Sequence, residues 1–395
     1  MTRIPGSRFL HSPGPTHVPE EVLNAMHRQP MDHGDPRLDQ TIAAIDTGIK
    51  RLLQTAASDL YMFAANGHGA WEAAIENLAA PGQAILIPGT GHFSESWAVQ
   101  AEALGRRVVR TPIREGYPID ANDLEQALRA DTKREIVAVF AVHTDTASSS
   151  TNDLAALRAA INAAGHPALF AVDVVASLAA APFAMDALGV NVAVGATQKG
   201  LMSPPGMSFV AVDGRAGEIA ARNPAPRYYW DWGRRKGDMS YQKFCGTPPQ
   251  NLLFGVEAAL ALLFQEGIGT VIARHALLAR AVHAAVECWS REGAVSFHCR
   301  VPAARSVSVT TIETRAGIDT EAMRTVARER FQVAIAGGLG PQTGRAFRIG
   351  HLGNLNSAMI LGCLAGVEAA MQVQGIPCGR GGTEAAVKSL AENRI

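Results

Sequence analysis

Short runs rich in β-branched residues alternate with Ala- and Leu-rich stretches through the first two thirds of the chain. The runs at 84–88, 107–112, 136–143, 168–174, 192–196 and 207–212 have the length of strands, and several are apolar throughout. Between them lie segments of helical period. In 153–164, Leu154, Leu157 and Ile161 recur at i, i+3 and i+7, Asn152 or Asp153 can cap the start, and Gly165 can end it. Strands separated by helices predict an α/β fold with a mainly parallel sheet covered on both faces.

The pattern changes after Val212. Residues 213–250 are rich in Pro, Arg, Gly and aromatics, and read as a long ordered excursion. A helical block follows over 252–290. The rest alternates short strands and helices, with 306–312 as a strand and 320–331 and 358–371 as helices. At 395 residues the chain exceeds what one core supports. We therefore expect an N-terminal arm over 1–16, a large domain over 17–285 and a smaller α+β domain over 286–395.

Composition narrows the function. Hydrophobic residues make up 47% and charged residues 18%, enough for a sizeable core. Lys+Arg and Asp+Glu are both 36, so no basic footprint points to nucleic acid or to a membrane surface. Arg234-Arg235-Lys236 reads as a solvated loop. The five cysteines are scattered and never spaced CxxC, which argues against a disulfide framework and a metal site. That usage fits a reducing compartment. Residues 1–6 lead into no apolar signal region, and no run has the length of a membrane span. A soluble, cytoplasmic protein is expected.

Ligands of open parallel sheets bind at the carboxyl ends of the strands. Asp173 ends one apolar run, where a carboxylate is costly unless it meets a cation or donors; capping the next turn is the plainer reading. Lys199 follows another run within Gln198-Lys199-Gly200, a poor place for a solvated charge but a good one for an amine of lowered pKa. A snorkelling lysine is the alternative. Asp173 and Lys199 together are what a pyridoxal phosphate (PLP) site needs: an amine for the Schiff base and an anion for the ring nitrogen. Asn66-Gly67-His68-Gly69, before a helix expected over 71–78, offers an anion seat for a phosphate. The hydroxyl-rich segment 143–149 is either a loop with a helix cap or a donor to the cofactor's oxygen.

In this order, the residues resemble the class V (fold-type I) PLP-dependent aminotransferases, in the branch acting on serine, alanine or aspartate with glyoxylate. The resemblance runs from Pro13-Gly14-Pro15-Thr16 through Asn66-Gly67-His68, Trp71-Glu72, His143-x-Asp145-Thr146, Asp173 and Gln198-Lys199-Gly200. It continues with Pro204-Pro205-Gly206, Pro226-Arg227-Tyr228-Tyr229 and Thr247-Pro248-Pro249, and ends at Arg348-Ile349-Gly350-His351-Leu352-Gly353. It implies a seven-stranded sheet in the large domain and a homodimer with shared sites.

Carried over by position, Lys199 would hold the cofactor as a Schiff base and shuttle the proton, and Asp173 would pair with the ring nitrogen. Val175 and Phe93 would cover the two ring faces. Asn66, Gly67, His68 and Gln198 would hold the phosphate, with Thr247 reaching it from the partner chain. Thr146 would touch ring or substrate, and Arg348 would bind the substrate carboxylate. His143 and His351 are taken as structural donors.

The chain departs from the family pattern at Gly34 (commonly Arg), Asn66 (Ser or Thr), Ser96 (a basic residue) and Asp145 (Glu). The cofactor site survives these changes; the donor preference does not. With one cation for a carboxylate and an aromatic wall expected from Trp71, Phe93 and Tyr228-Tyr229-Trp230, the expected activity is transfer from serine or alanine to glyoxylate or pyruvate. Aspartate–glyoxylate and pyridoxamine–pyruvate transamination are the alternatives, and a PLP-binding protein without turnover is the alternative of another class.

Overall fold

The computed structural model of the chain describes residues 5–392; the first four residues, part of the stretch read for a signal region, lie outside it. Seven strands form the main sheet, in the order Asp59–Phe63, Ser208–Val212, Val192–Ala196, Leu169–Asp173, Ile136–Val142, Ala84–Ile87, Arg107–Arg110. Only Ser208–Val212 runs against its neighbours. The strand Asp59–Phe63 escapes the sequence pattern because it is a short edge strand whose first residue is exposed.

The sheet is buried on both faces, and its strands show why. In Leu169–Asp173 every residue is buried, yet Phe170 and Val172 join one apolar cluster while Leu169 and Ala171 join the other. Alternate side chains leave a strand on opposite faces. Leu154, Leu157 and Ile161 cover one side from the helix Leu154–Ala163. Asp153 caps that helix by accepting from Ala156 N at 3.0 Å, and Gly165 follows it at φ +56°. Asn152 serves another purpose: it accepts from Ile119 N and donates to the Val142 carbonyl.

A second sheet of five strands is built from Val295–Phe297, Val309–Thr314, Ala346–Gly350, Val333–Gly337 and, at its edge, Phe9–His11. The stretch expected as an arm over 1–16 thus contributes a strand, with Phe9 paired to Val333 and His11 to Ile335. The expected helical block bends by 85° at Gly267 into Gln250–Glu266 and Ile268–Trp289. The boundary drawn at 285 falls inside the second of these. Val271 packs in the large core, whereas Leu278, Val282 and Trp289 pack against the small sheet. Among the described residues no single helix is long and apolar enough to cross a membrane.

Within the 213–250 excursion lie the helices Gly214–Arg222 and Ser240–Phe244. Here the solvated-loop reading fails for Arg235, which is buried and donates to the carbonyls of Tyr229, Met62 and Lys243. Its guanidinium also lies 4.3 Å from the Phe63 ring centroid. Three carbonyls and the rings of Phe63 and Tyr229, the latter at 4.7 Å, compensate the lost water, which sequence spacing does not show.

The C-terminal sheet and the helices beside it hold several buried histidines. Burial pushes His11, His275 and His283 down to about 4, and His351 well below its ordinary value. His143, just past the main-sheet strand Ile136–Val142, is likewise lowered to about 4. His275 shows how a neutral ring is satisfied: Nδ1 meets the Val271 carbonyl at 2.7 Å and Nε2 accepts from Gly353 N at 2.9 Å. In the unfolded chain these rings take up protons near pH 6.5, while in the folded chain they resist until about 4. Stability is therefore lost as pH falls through this window, by about 1.4 kcal/mol per pH unit for each such group. Asp173, raised to about 7, works in the opposite sense but is a single group. The apo-protein should melt at clearly lower temperature at pH 5 than at pH 7; equal midpoints by calorimetry would contradict this account.

Candidate active site

The chemistry gathers where three strands end. Asp173 is the last residue of Leu169–Asp173, which pairs in parallel with Val192–Ala196, and Lys199 lies three residues beyond that neighbour. After Ile136–Val142 the chain folds into a small hairpin, Thr144–Asp145 against Ser150–Thr151, with Thr146 in its turn. The helix Gly67–Leu78 starts beside them, capped by the Asn66 side chain accepting from Gly69 N at 3.3 Å. It begins four residues earlier than the sequence pattern implied, so the glycine-rich turn is itself the first helical turn. The backbone N–H groups of Gly67 and His68 therefore have no partner within the helix and face outward at its positive end.

These elements enclose a cavity of about 150 Å³. Asn66, Gly67, His68 and Gln198 line it, together with Asp173, Lys199, Phe93, Thr146 and Val175. Trp71, Thr144 and Ala176 line it as well. A larger cavity of about 320 Å³, between Asp46, Lys50 and Arg235, contains none of the predicted site residues.

Asp173 is fully enclosed. Its Oδ1 accepts from Val175 N at 2.6 Å, and its Oδ2 accepts from the Trp71 indole at 3.0 Å. Burial nevertheless outweighs these donors and the nearby Lys199, raising the carboxyl to about 7. Burial and the charge of Arg348 lower Lys199 to about 8, against the pull of Asp173. An amine near neutrality can change protonation state at little cost.

Asp145 organises the pocket wall. It is wholly buried, and its carboxylate accepts from Phe93 N at 2.8 Å, Ala147 N at 2.8 Å and Ser148 N at 3.1 Å. It thereby ties the start of the helix His92–Ala103 to the hairpin turn. Arg348, on the strand Ala346–Gly350 of the small sheet, approaches from behind. Its Nε donates to the Gly337 carbonyl at 2.7 Å and its Nη1 to the Thr146 carbonyl at 3.0 Å, while Nη2 carries no such bond. Burial lowers the guanidinium to about 10, and Asp145 opposes that shift.

Arg348 stands one residue behind the cavity lining, joined to it through Thr146. Thr247 is exposed and away from this cavity. The aromatic wall is smaller than expected. Tyr228 is largely exposed, and Trp230, which is not among the residues lining the cavity, donates to Glu72 Oε1 at 2.9 Å. The sequence places Trp71 in a motif and in the pocket wall but does not show its bond to Asp173. The signal was its spacing, four residues after Gly67 and so on the same helix face. His143 and His351 bond to Ser177 Oγ and Thr310 Oγ1, as scaffold histidines do.

The donor set fits PLP. Helix-terminal N–H groups suit a phosphate, the buried carboxylate suits a protonated ring nitrogen, the amine suits an aldehyde, and Val175 and Phe93 suit the ring faces. Gln198 Oε1 is buried in the lining with no hydrogen-bond partner among the described residues, as fits a polar group held there. A buried amine and acid at adjacent strand ends, beside an anion-binding helix start, define the class: an α/β enzyme of pyridoxal phosphate.

Residues 8–344 match the aminotransferase class V family, and the chain belongs to it as a PLP-dependent aminotransferase. It is 36% identical to a serine–glyoxylate aminotransferase of Methylorubrum extorquens, over 100% of this chain and 98% of that one. It is also 36% identical to an L-aspartate–glyoxylate aminotransferase of Paracoccus denitrificans, over 95% and 94%. The solved pyridoxamine–pyruvate aminotransferase of Mesorhizobium loti superposes with a TM-score of 0.89 at 25% identity, over 100% of both chains.

Trp71 has a testable share in this site. A hydrogen bond to a charged group contributes about 1.5–3 kcal/mol. Trp71→Phe, which keeps the aromatic packing on Trp97 and removes the donor, should weaken PLP binding roughly ten- to a hundredfold. An absorbance titration that gives an unchanged dissociation constant would remove Trp71 from the set.

Proposed function

We propose that this aminotransferase takes its amino group from a small monocarboxylic amino acid, serine or alanine, and gives it to glyoxylate, with pyruvate a lesser acceptor. The observation that carries the reading is the count of cations. Arg348 is the guanidinium bonded to the pocket wall, and among the described residues lining the cavity the one Lys or Arg is Lys199, whose amine is taken up by the chemistry itself. Arg235 is committed to three carbonyls, and Arg234 lies over the Tyr228 ring. Gly34 adds no charge. A second carboxylate on the donor would lack a partner. The serine–glyoxylate relative supports this choice, and the aspartate–glyoxylate relative defines its rival.

Bound PLP supplies an electron-accepting ring that stabilises negative charge at the donor's α-carbon. The chain's own residues do the rest. Arg348 presents Nη2 and the second N–H of Nη1 to the substrate carboxylate, an orientation for which a planar fork is suited. Lys199 holds and moves the proton at Nζ. Asp173 keeps a positive charge next to its carboxylate, and in doing so returns to its ionised form. The walls of Phe93, Val175 and Trp71 exclude water and hold a flat ring in place.

A donor panel with glyoxylate tests the reading. Serine and alanine should outrun aspartate and pyridoxamine; the reverse order sinks it. Arg348→Lys keeps the charge but loses the fork, and should lower kcat/KM roughly ten- to a hundredfold for every donor. Equal values would show that another group binds the carboxylate.

The active form we propose is a homodimer. Thr247 is exposed, and Tyr228, Met239 and Tyr241 of the same 213–250 segment leave large side chains in solvent at 66%, 58% and 54% exposure. Exposed large side chains concentrated in one segment suit a surface that a second copy covers. On dilution, PLP and activity should be lost together as the dimer dissociates; a fully active monomer by sedimentation would refute the assembly.

A further inference from the structure

The segment between the strand Phe9–His11 and Thr16 lies directly on Lys199. The lysine's Nζ donates to the Pro13 carbonyl at 2.5 Å. Thr16 anchors the segment to the lysine's own backbone: its N–H donates to the Gln198 carbonyl at 3.3 Å and its hydroxyl to the Lys199 carbonyl at 3.0 Å. At the other end Ser12 packs on Gly350, where an added Cβ would lie 2.5 Å from the Ser12 carbonyl carbon. Gly350 ends the strand that carries Arg348. The segment is a strap joining the carboxylate-binding strand to the reactive amine.

Gly14 is the residue the lysine crosses. Its φ is +137°, and a Cβ there would lie 2.2 Å from Lys199 Nζ and 2.4 Å from Cε. Any side chain would take the place of the amine itself, and the left-handed backbone resists substitution as well.

We propose that the Pro13 carbonyl and Gly14 form a seat for the free Lys199 amine during turnover, with Gly14 a positioning residue for proton transfer. A neutral amine has two N–H groups and one lone pair. Giving one N–H to the carbonyl fixes the axis about which the others are arranged, and leaves the lone pair directed away from it. That lone pair takes the proton from the substrate α-carbon, making an ammonium, which then gives the proton to the carbon on the other side of the transferred nitrogen, restoring the amine. Without the seat, the amine swings on a flexible four-carbon stem and is seldom in line. The inference rests on the aminotransferase reading for the role of Lys199, but not on which amino acid is the donor.

The test uses full-length wild type, Gly14→Ala and Thr16→Val, each loaded with pyridoxamine 5′-phosphate so that the lysine amine is free. Acetylation of Lys199 by acetic anhydride is followed against pH by peptide mass spectrometry, and kcat and KM are measured separately. In Gly14→Ala, Lys199 should be acetylated several-fold faster with a displaced midpoint. Its kcat should fall about a hundredfold, the scale for a reacting group misplaced by about 1 Å, with KM close to wild type. Thr16→Val loses only the hydroxyl bond to the lysine's carbonyl and should show the same pattern, smaller. An unchanged acetylation profile and kcat in Gly14→Ala overturn the seat. If that variant does not fold, the same null result in Thr16→Val overturns it. A changed profile in variants of an enzyme that prefers aspartate leaves the seat standing and removes only the donor assignment.

Discussion

Everything in this molecule is arranged around one costly act, the burial of an acid and an amine at the ends of two neighbouring parallel strands. Asp173 and Lys199 attract each other, yet burial drives both toward neutrality, to about 7 and about 8. Desolvation therefore outweighs their attraction. Buried charges persist only with added donors, and the structure supplies these sparingly: one indole and one backbone N–H for the acid, one carbonyl for the amine. The site holds back enough electrostatic satisfaction for a cationic ring and a carbonyl carbon to complete it.

The rest of the fold positions this pair. Parallel strands bring their carboxyl ends to one side, and the Asp145 carboxylate fixes the neighbouring wall by accepting three backbone N–H groups from two separate elements. Through the Thr146 carbonyl that wall also holds Arg348, which belongs to the other sheet. The small sheet therefore reaches the reactive centre by two routes, the guanidinium on Ala346–Gly350 and the strap from Phe9–His11. Both routes are hydrogen bonds of backbone carbonyls, so they constrain position without adding another buried charge.

Much of the site was legible because its residues follow apolar runs of recognisable length, and a parallel sheet delivers strand ends to one place. Asn66, Gly67, His68, Phe93, Thr146, Asp173, Val175, Gln198 and Lys199 line one cavity for that reason. The edge strand Asp59–Phe63 was not legible, since it is only five residues long and its exposed first residue, Asp59, breaks the apolar run. Nor was the role of Arg235, whose partners lie across the fold from Met62 to Lys243. The Tyr228-Tyr229-Trp230 run looked like a pocket wall in sequence, but Trp230 is drawn to Glu72 instead.

By itself the sequence determined the α/β class, the alternation of strands and helices, and the pairing of a strand-end acid with a strand-end amine. These follow from periodicity and from the cost of placing charge after an apolar run, both local properties. Only the tertiary structure decided what satisfies those charges. Trp71 reaches Asp173 across 102 positions, Pro13 reaches Lys199 across 186, and Arg348 reaches Thr146 across 202. No spacing rule covers such separations, because they depend on how sheets and helices pack after the local elements have formed.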